Sequence, residues 1–140
     1  MMRTHPNVLL LSTDSEEMSK WEDILCEHAV VKRVGSLLEL EHQLESDVYD
    51  ALFCGWSFHF GTWHDALRTV QQQCPELPVI IFCGNGGERQ WVEVLEAGAF
   101  DLLVEPYHQR AVLPVLEHAV DSYEGRRLYR SPSRLRAVAS

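Results

Sequence analysis

Five short apolar runs, each followed by a stretch of helical periodicity, constrain this chain more than any other feature. Val8 to Leu11, Ala29 to Val34, Asp50 to Cys54, Val79 to Cys83 and Asp101 to Val104 read as strands. The intervening segments place apolar residues three and four apart: Met18, Trp21, Ile24 and Leu25; Leu37, Leu40 and Leu44; Trp63, Ala66, Leu67 and Val70; Trp91, Val94 and Leu95. A last helical pattern carries Leu116 and Val120. Strict strand–helix alternation brings successive strands into one parallel sheet, because each crossover helix returns the chain to the same edge direction. The first run is apolar without interruption, as a strand covered on both faces must be, whereas the second is more polar and belongs at a sheet edge. The fold class is therefore α/β, a doubly wound parallel sheet with helices on both faces.

Local signals mark the boundaries. Asp14 offers an N-cap, and Glu17 three residues on completes a capping-box pattern. Ser36 opens the second helix, Pro78 the fourth strand, and Gly84-Asn85-Gly86-Gly87 the loop after it. The final helix is expected to begin near Arg110 or Ala111, which puts Pro114 in its first turn, where a missing N–H is harmless. A chain of 140 residues with 46% apolar and 24% charged composition builds one domain, read as residues 1–124, followed by a basic, flexible tail over 125–140. No run approaches the 18 or so apolar residues needed to cross a bilayer, and no cleavable leader is visible at the N-terminus. A soluble, cytoplasmic protein is the expectation. Cys26, Cys54, Cys74 and Cys83 form no CxxC pair and read as reduced thiols, two of them inside apolar strands.

The net charge of −9 is unevenly spread. All 21 acidic residues lie at or before Glu124, while Arg126, Arg127, Arg130, Arg134 and Arg136 follow it with no acid among them. An acidic body repels phosphate backbones, so neither nucleic acid nor membrane is an expected partner.

Three segments carry a family likeness. They are Tyr49-Asp50-Ala51-Leu52-Phe53-Cys54-Gly55, Leu77-Pro78-Val79-Ile80-Ile81-Phe82-Cys83-Gly84, and Ala97-Gly98-Ala99-Phe100-Asp101-Leu102-Leu103-Val104-Glu105-Pro106-Tyr107. In this order and spacing they resemble the third, fourth and fifth strands of receiver domains from bacterial two-component signalling. The likeness runs from about Asn7 to Val120. It implies a flavodoxin-like strand order, 2-1-3-4-5, which periodicity alone leaves open.

The resemblance also implies which positions to inspect. Family members hold Mg²⁺ with two acidic residues after the first strand, phosphorylate an aspartate after the third, follow the phosphoryl group with a Thr or Ser after the fourth, and contact it with a lysine after the fifth. Here those positions are Ser12 and Thr13, Gly55, Cys83 and Glu105. The nucleophile has no side chain and the lysine has become an acid. Phosphorylation by the family's mechanism is therefore not expected, nor is any enzyme activity, cofactor or catalytic residue. Asp14 and Glu105 border the vacated pocket and are the candidates for a weak Mg²⁺ or Ca²⁺ site, but two ligands bind poorly and Asp14 is better explained as a cap.

The loop after the third strand holds Trp56, Phe58, Phe60 and Trp63 within eight positions. Its rings either fold over the empty pocket or present an aromatic patch to a partner. His59, His64 and Asp65 lack further convergent ligands for zinc. Trp91 is expected to fill space left by the lost acidic residues. Receiver domains signal through the face of the fourth helix, fifth strand and fifth helix, which here includes Arg89, Glu93 and Tyr107. That face and the aromatic loop are the candidate surfaces for a protein partner or a homodimer. The alternative is a small-molecule, nucleotide or anion sensor using the strand-end crevice at Ser12, Thr13, Cys83 and Gly84.

Overall fold

The computed structural model describes the backbone of residues 5–130 and the side chains of residues 5–123. The five apolar runs form one parallel sheet: β1 (Asn7–Leu11), β2 (Val30–Val34), β3 (Ala51–Gly55), β6 (Val79–Cys83) and β7 (Asp101–Val104). Their order is β2-β1-β3-β6-β7. Counting these five strands alone, that is the 2-1-3-4-5 order. β4 (Ser57–Phe58) and β5 (Gly61–Thr62) are a two-residue antiparallel hairpin that the sequence reading treated as loop.

Strand parity divides the core in two. Val8, Leu10, Ala51, Phe53, Ile80 and Phe82 face α1 (Ser15–Leu25) and α5 (Gln109–Arg130), meeting Trp21, Leu25, Val112 and Leu116. Leu9, Leu11, Leu52, Cys54, Ile81 and Cys83 face the opposite layer of α2 (Leu37–Ser46), α3 (Trp63–Gln73) and α4 (Glu88–Glu96). Burial on both faces is why β1, β3 and β6 lack the polar alternation of a half-exposed strand. β2 exposes Val30, Lys32 and Arg33, as suits its place at the edge.

The helix starts follow from short-range polar chemistry. Ser36 Oγ accepts the Glu39 N–H, and Asp65 Oδ2 accepts the Thr62 N–H at the head of α3. α4 ends at Glu96 and the chain turns at Gly98, whose φ of +110° favours glycine.

Two boundaries differ from expectation. α5 begins at Gln109, so Pro114 is its sixth residue rather than part of the first turn, and the Arg110 carbonyl has no proline N–H to accept. The helix also runs on through Arg130, past the boundary read at 124. Gly125 alone does not break it. The arginines at 126, 127 and 130 thus lie on α5. Residues 131–140, the rest of the basic segment, lie outside the described residues.

Candidate functional site at the strand ends

Parallel register gathers the five inspected positions at one end of the sheet. Leu11 pairs with Cys54, Gly55 with Phe82, and Cys83 with Val104, so the residues that follow each strand surround one crevice. Asp50 lies at the other end, where Oδ2 accepts the Asn7 N–H at 2.8 Å.

The crevice is filled by rings. Gly55 is buried, and a Cβ placed there would stand 3.5 Å from Phe82 Cε1 and 3.7 Å from Cζ. Phe82 is fully buried beneath Trp21, with ring centres 4.9 Å apart. Trp21 also meets Phe53 at 5.1 Å and Tyr107 at 4.6 Å, and Tyr107 lies edge-on to Phe82 at 5.9 Å. Offset and edge contacts of this kind are favourable beyond their buried area. Trp21 Nε1 is the one buried side-chain nitrogen or oxygen among the described residues that finds no partner. The plug thus comes from β6, α1 and the β7–α5 loop, not from the loop after β3 as expected.

Polar groups ring the plug. Ser12 is buried, and its Oγ accepts the Asp14 N–H at 3.0 Å; Thr13 is exposed. Asp14 Oδ1 accepts the N–H groups of Glu16 and Glu17 at 3.0 and 3.2 Å, which is the N-cap its position predicted. Glu17 does not reach back to close a capping box. Its Oε2 instead accepts from Tyr107 Oη at 3.2 Å. Burial raises the Glu17 carboxyl above its ordinary range, the Tyr107 hydroxyl opposes that rise, and the nearby charges of Asp14 and Glu105 add to it. Burial likewise pushes the Tyr107 hydroxyl up, aided by Glu17, so tyrosine stays the donor and glutamate the acceptor.

Glu105 pairs with Lys20 of α1, Oε2 to Nζ 2.7 Å. Its other oxygen lies 3.3 Å from where a Cβ on Gly84 would stand. The two carboxylates considered for a cation are therefore already engaged, one in a cap and one by a lysine. Among the described residues, no group of three or more His, Cys, Asp or Glu side chains is placed to hold a metal ion. The ring of Asp14, Glu17 and Glu105 is also a poor setting for an anion.

Cys83 is 6% exposed, and its Sγ lies 3.0 Å from the Asn85 carbonyl, to which the thiol donates. Burial raises the thiol of Cys83 and, more strongly, that of Cys54. All four cysteines are free.

The aromatic loop separates into distinct roles. Phe58 is 7% exposed and belongs to the α2–α3–α4 core, so its assignment to a partner surface is corrected. Trp56 is half-buried against the same core and lies 5.6 Å from Trp63, which is itself buried. Phe60 is 95% exposed at the hairpin tip with a φ of +64°. His64 stacks on Trp63 at 3.7 Å with Nε2 3.7 Å from Glu93 Oε2, and His59 lies edge-on to Phe60. Arg89 and Glu93 are exposed on α4, but Glu93 faces His64 of α3 rather than β7 and α5, which corrects its place on that face, and Tyr107 is half-buried with its ring turned inward. Trp91 does not fill the pocket: it is 45% exposed, and its Nε1–H donates to Asp101 Oδ1 at 3.2 Å.

Solved structures share this fold over most of the chain. The beryllofluoride-activated NtrC4 receiver domain dimer superposes with a TM-score of 0.76 at 20% identity, covering 84% of this chain and 98% of that one. The signal receiver domain of an HD domain-containing protein from Pseudomonas fluorescens gives 0.77 at 15%, covering 87% and 99%. A response regulator receiver domain protein from Clostridium thermocellum gives 0.76 at 20%, covering 85% and 97%. The chain has the receiver-domain fold. A stretch of 63 residues is also 35% identical to the response regulator protein FleR of Pseudomonas aeruginosa, covering 44% of this chain and only 13% of that protein. No family model matches the chain.

Within the receiver fold, sequence reasoning missed Trp21, Phe82, Glu17 and Lys20 as site residues. Parity offered a signal for one of them. Gly55 and Phe53 share a face of β3, and the residue paired with Gly55 on β6 is Phe82, so a ring beside the missing side chain follows from register. Glu17 and Lys20 gave no such signal, because their partners lie 90 and 85 residues away. Among the described residues, no helix is long and apolar enough to cross a membrane.

Proposed function

We propose that this chain is an atypical response-regulator receiver that acts without phosphorylation, as a protein–protein interaction module in or derived from two-component signalling. The observation that carries this reading is the Phe82 ring lying against Gly55, where a phosphoacceptor side chain would need to project. Three further features support it. The hydroxyl position is a buried thiol, the lysine position is a carboxylate, and that carboxylate is neutralised by Lys20 of this chain rather than left for a cation. A site of this composition offers no group to attack phosphorus and no lysine to stabilise the charge that develops.

The surfaces left for a partner are the exposed side of α4 with β7 and α5, where Arg89 and Trp91 face solvent, and the tip of the β4–β5 hairpin at Phe60. An exposed indole beside charged residues is the composition that anchors protein interfaces. The NtrC4 receiver that shares this fold is a dimer, and self-association through the α4–β7–α5 face is the corresponding reading for this chain.

Acetyl phosphate or beryllofluoride with Mg²⁺ tests the proposal directly. Intact mass spectrometry is expected to find no adduct with acetyl phosphate, and backbone amide spectra no saturable shift with beryllofluoride. A stoichiometric adduct or a saturating shift at the strand-end crevice overturns it.

A further inference from the structure

The vacated site is tied shut from outside by α1. Glu17 and Lys20 stand one helical turn apart on the same face of α1. Each reaches across to the segment after β7: Glu17 Oε2 to Tyr107 Oη at 3.2 Å, and Lys20 Nζ to Glu105 Oε2 at 2.7 Å. The partners 105 and 107 flank Pro106, so two tethers hold three consecutive residues. Between them the Tyr107 ring is pressed on Trp21 at 4.6 Å and against Phe82 at 5.9 Å. The tethers differ in setting. Glu17 and Tyr107 are half-buried, whereas Lys20 and Glu105 are partly exposed, with side-chain exposures of 56% and 36%.

We propose that Glu17 and Lys20 form a two-point latch that fixes the β7–α5 loop to α1 with Tyr107 as its bolt, locking this receiver fold in one conformation. This rests on the reading that the phosphoryl chemistry is lost, and it adds how the loop is held without that chemistry. In the resembling family a lysine at position 105 would face a phosphorylated aspartate. Here the polarity is inverted and both charges belong to the protein, so the link is permanent rather than conditional on modification. The latch fixes the loop leading into α5, and with it one border of the face that includes α4, β7 and α5.

Hydrogen exchange of the full chain, read by mass spectrometry on peptides covering residues 105–112, tests the latch. Tyr107→Phe keeps the ring and removes only the hydroxyl. Losing this half-buried hydrogen bond is expected to speed exchange there by about tenfold, with peptides from β1 and β3 unchanged. Glu105→Lys places two cations together and is expected to speed exchange by about threefold, as suits a partly exposed pair. The double variant Lys20→Glu/Glu105→Lys restores the pair with reversed polarity, although it sets an acid at position 20 beside Glu16 and Glu17, and is expected to slow exchange below that of Glu105→Lys alone. Unchanged exchange in Tyr107→Phe, or a double variant no slower than Glu105→Lys alone, overturns the latch. Either failure leaves the phosphorylation test untouched, since that reads adduct formation and this reads loop opening.

Discussion

The edge of the Phe82 ring lies 3.5 Å from the point where a side chain at Gly55 would begin. That contact sets an apolar ring beside the position that lacks a nucleophile. Gly55→Ala adds one methyl at ordinary van der Waals distance, so its expected effect on stability is within about 1 kcal/mol of zero. Gly55→Asp must place a carboxylate beside the buried Phe82 ring and the Leu11 carbonyl. A cost of about 2–5 kcal/mol is expected, read as a lower urea midpoint at an unchanged m-value. The same variant is expected to stay unmodified by acetyl phosphate, because restoring the acid restores neither the metal ligands nor the lysine.

Glu17 gives stability a specific dependence on pH. Its carboxyl is raised by burial above the ordinary value of 4.5, so the folded chain binds its proton more tightly than the unfolded chain does. Its favourable contribution is complete below 4.5 and is lost as pH rises through the raised folded value. Glu17→Gln keeps an oxygen for the Tyr107 hydroxyl and removes the ionisation. The variant is therefore expected to gain stability relative to the wild type as pH rises from 4 to 7, measured by urea unfolding at each pH. A constant difference across that range would show that Glu17 titrates alike in both states.

How much of this was readable from the sequence depended on the range of each interaction. Asp14 was identified as a cap because the N–H groups it accepts lie two and three residues on. Glu17, in the same motif, was misread, because an equally local pattern lost to a tyrosine that only the fold brings near. The sheet was legible because β1, β3 and β6 are buried on both faces and so carry uninterrupted apolar runs. Which rings would enter the crevice was not, since Trp91 and Trp21 both sit at helical spacing next to charged residues. Only the fold decides that one indole is sealed between Phe53 and Phe82 while the other donates to Asp101 at the surface. The hairpin of β4 and β5 was invisible because two-residue strands have no periodicity to detect.

The cysteines are expected to separate by exposure. Cys26 is exposed at the end of α1, whereas Cys54 and Cys83 are buried and their thiols are held up by that burial, which keeps the reactive thiolate scarce. Iodoacetamide at pH 8 is expected to modify Cys26 first, with Cys54 and Cys83 labelled only at the rate of unfolding in urea. Peptide mass mapping over a time course checks the order. Early labelling of Cys83 would mean that the crevice opens without global unfolding.

The hairpin tip sets stability against exposure. Phe60 is 95% exposed, so its ring adds little to the core, yet its backbone sits at a φ of +64°, where a side chain costs roughly 1 kcal/mol. Asparagine tolerates that geometry better. Phe60→Asn is therefore expected to stabilise the chain by about 0.5–1 kcal/mol, seen as a higher urea midpoint. Its neighbour behaves in the opposite way. A Cβ on Gly61 would meet the Phe58 ring at 2.6 Å, and that ring is buried in the core. Gly61→Ala is expected to cost about 1–3 kcal/mol, as overpacking does when the obstructing group cannot withdraw. Opposite signs at adjacent positions would establish that the chain holds the hairpin rigid through Phe58 and Gly61 while tolerating strain at Phe60. A destabilising Phe60→Asn would instead place the Phe60 ring among the contacts that hold the fold.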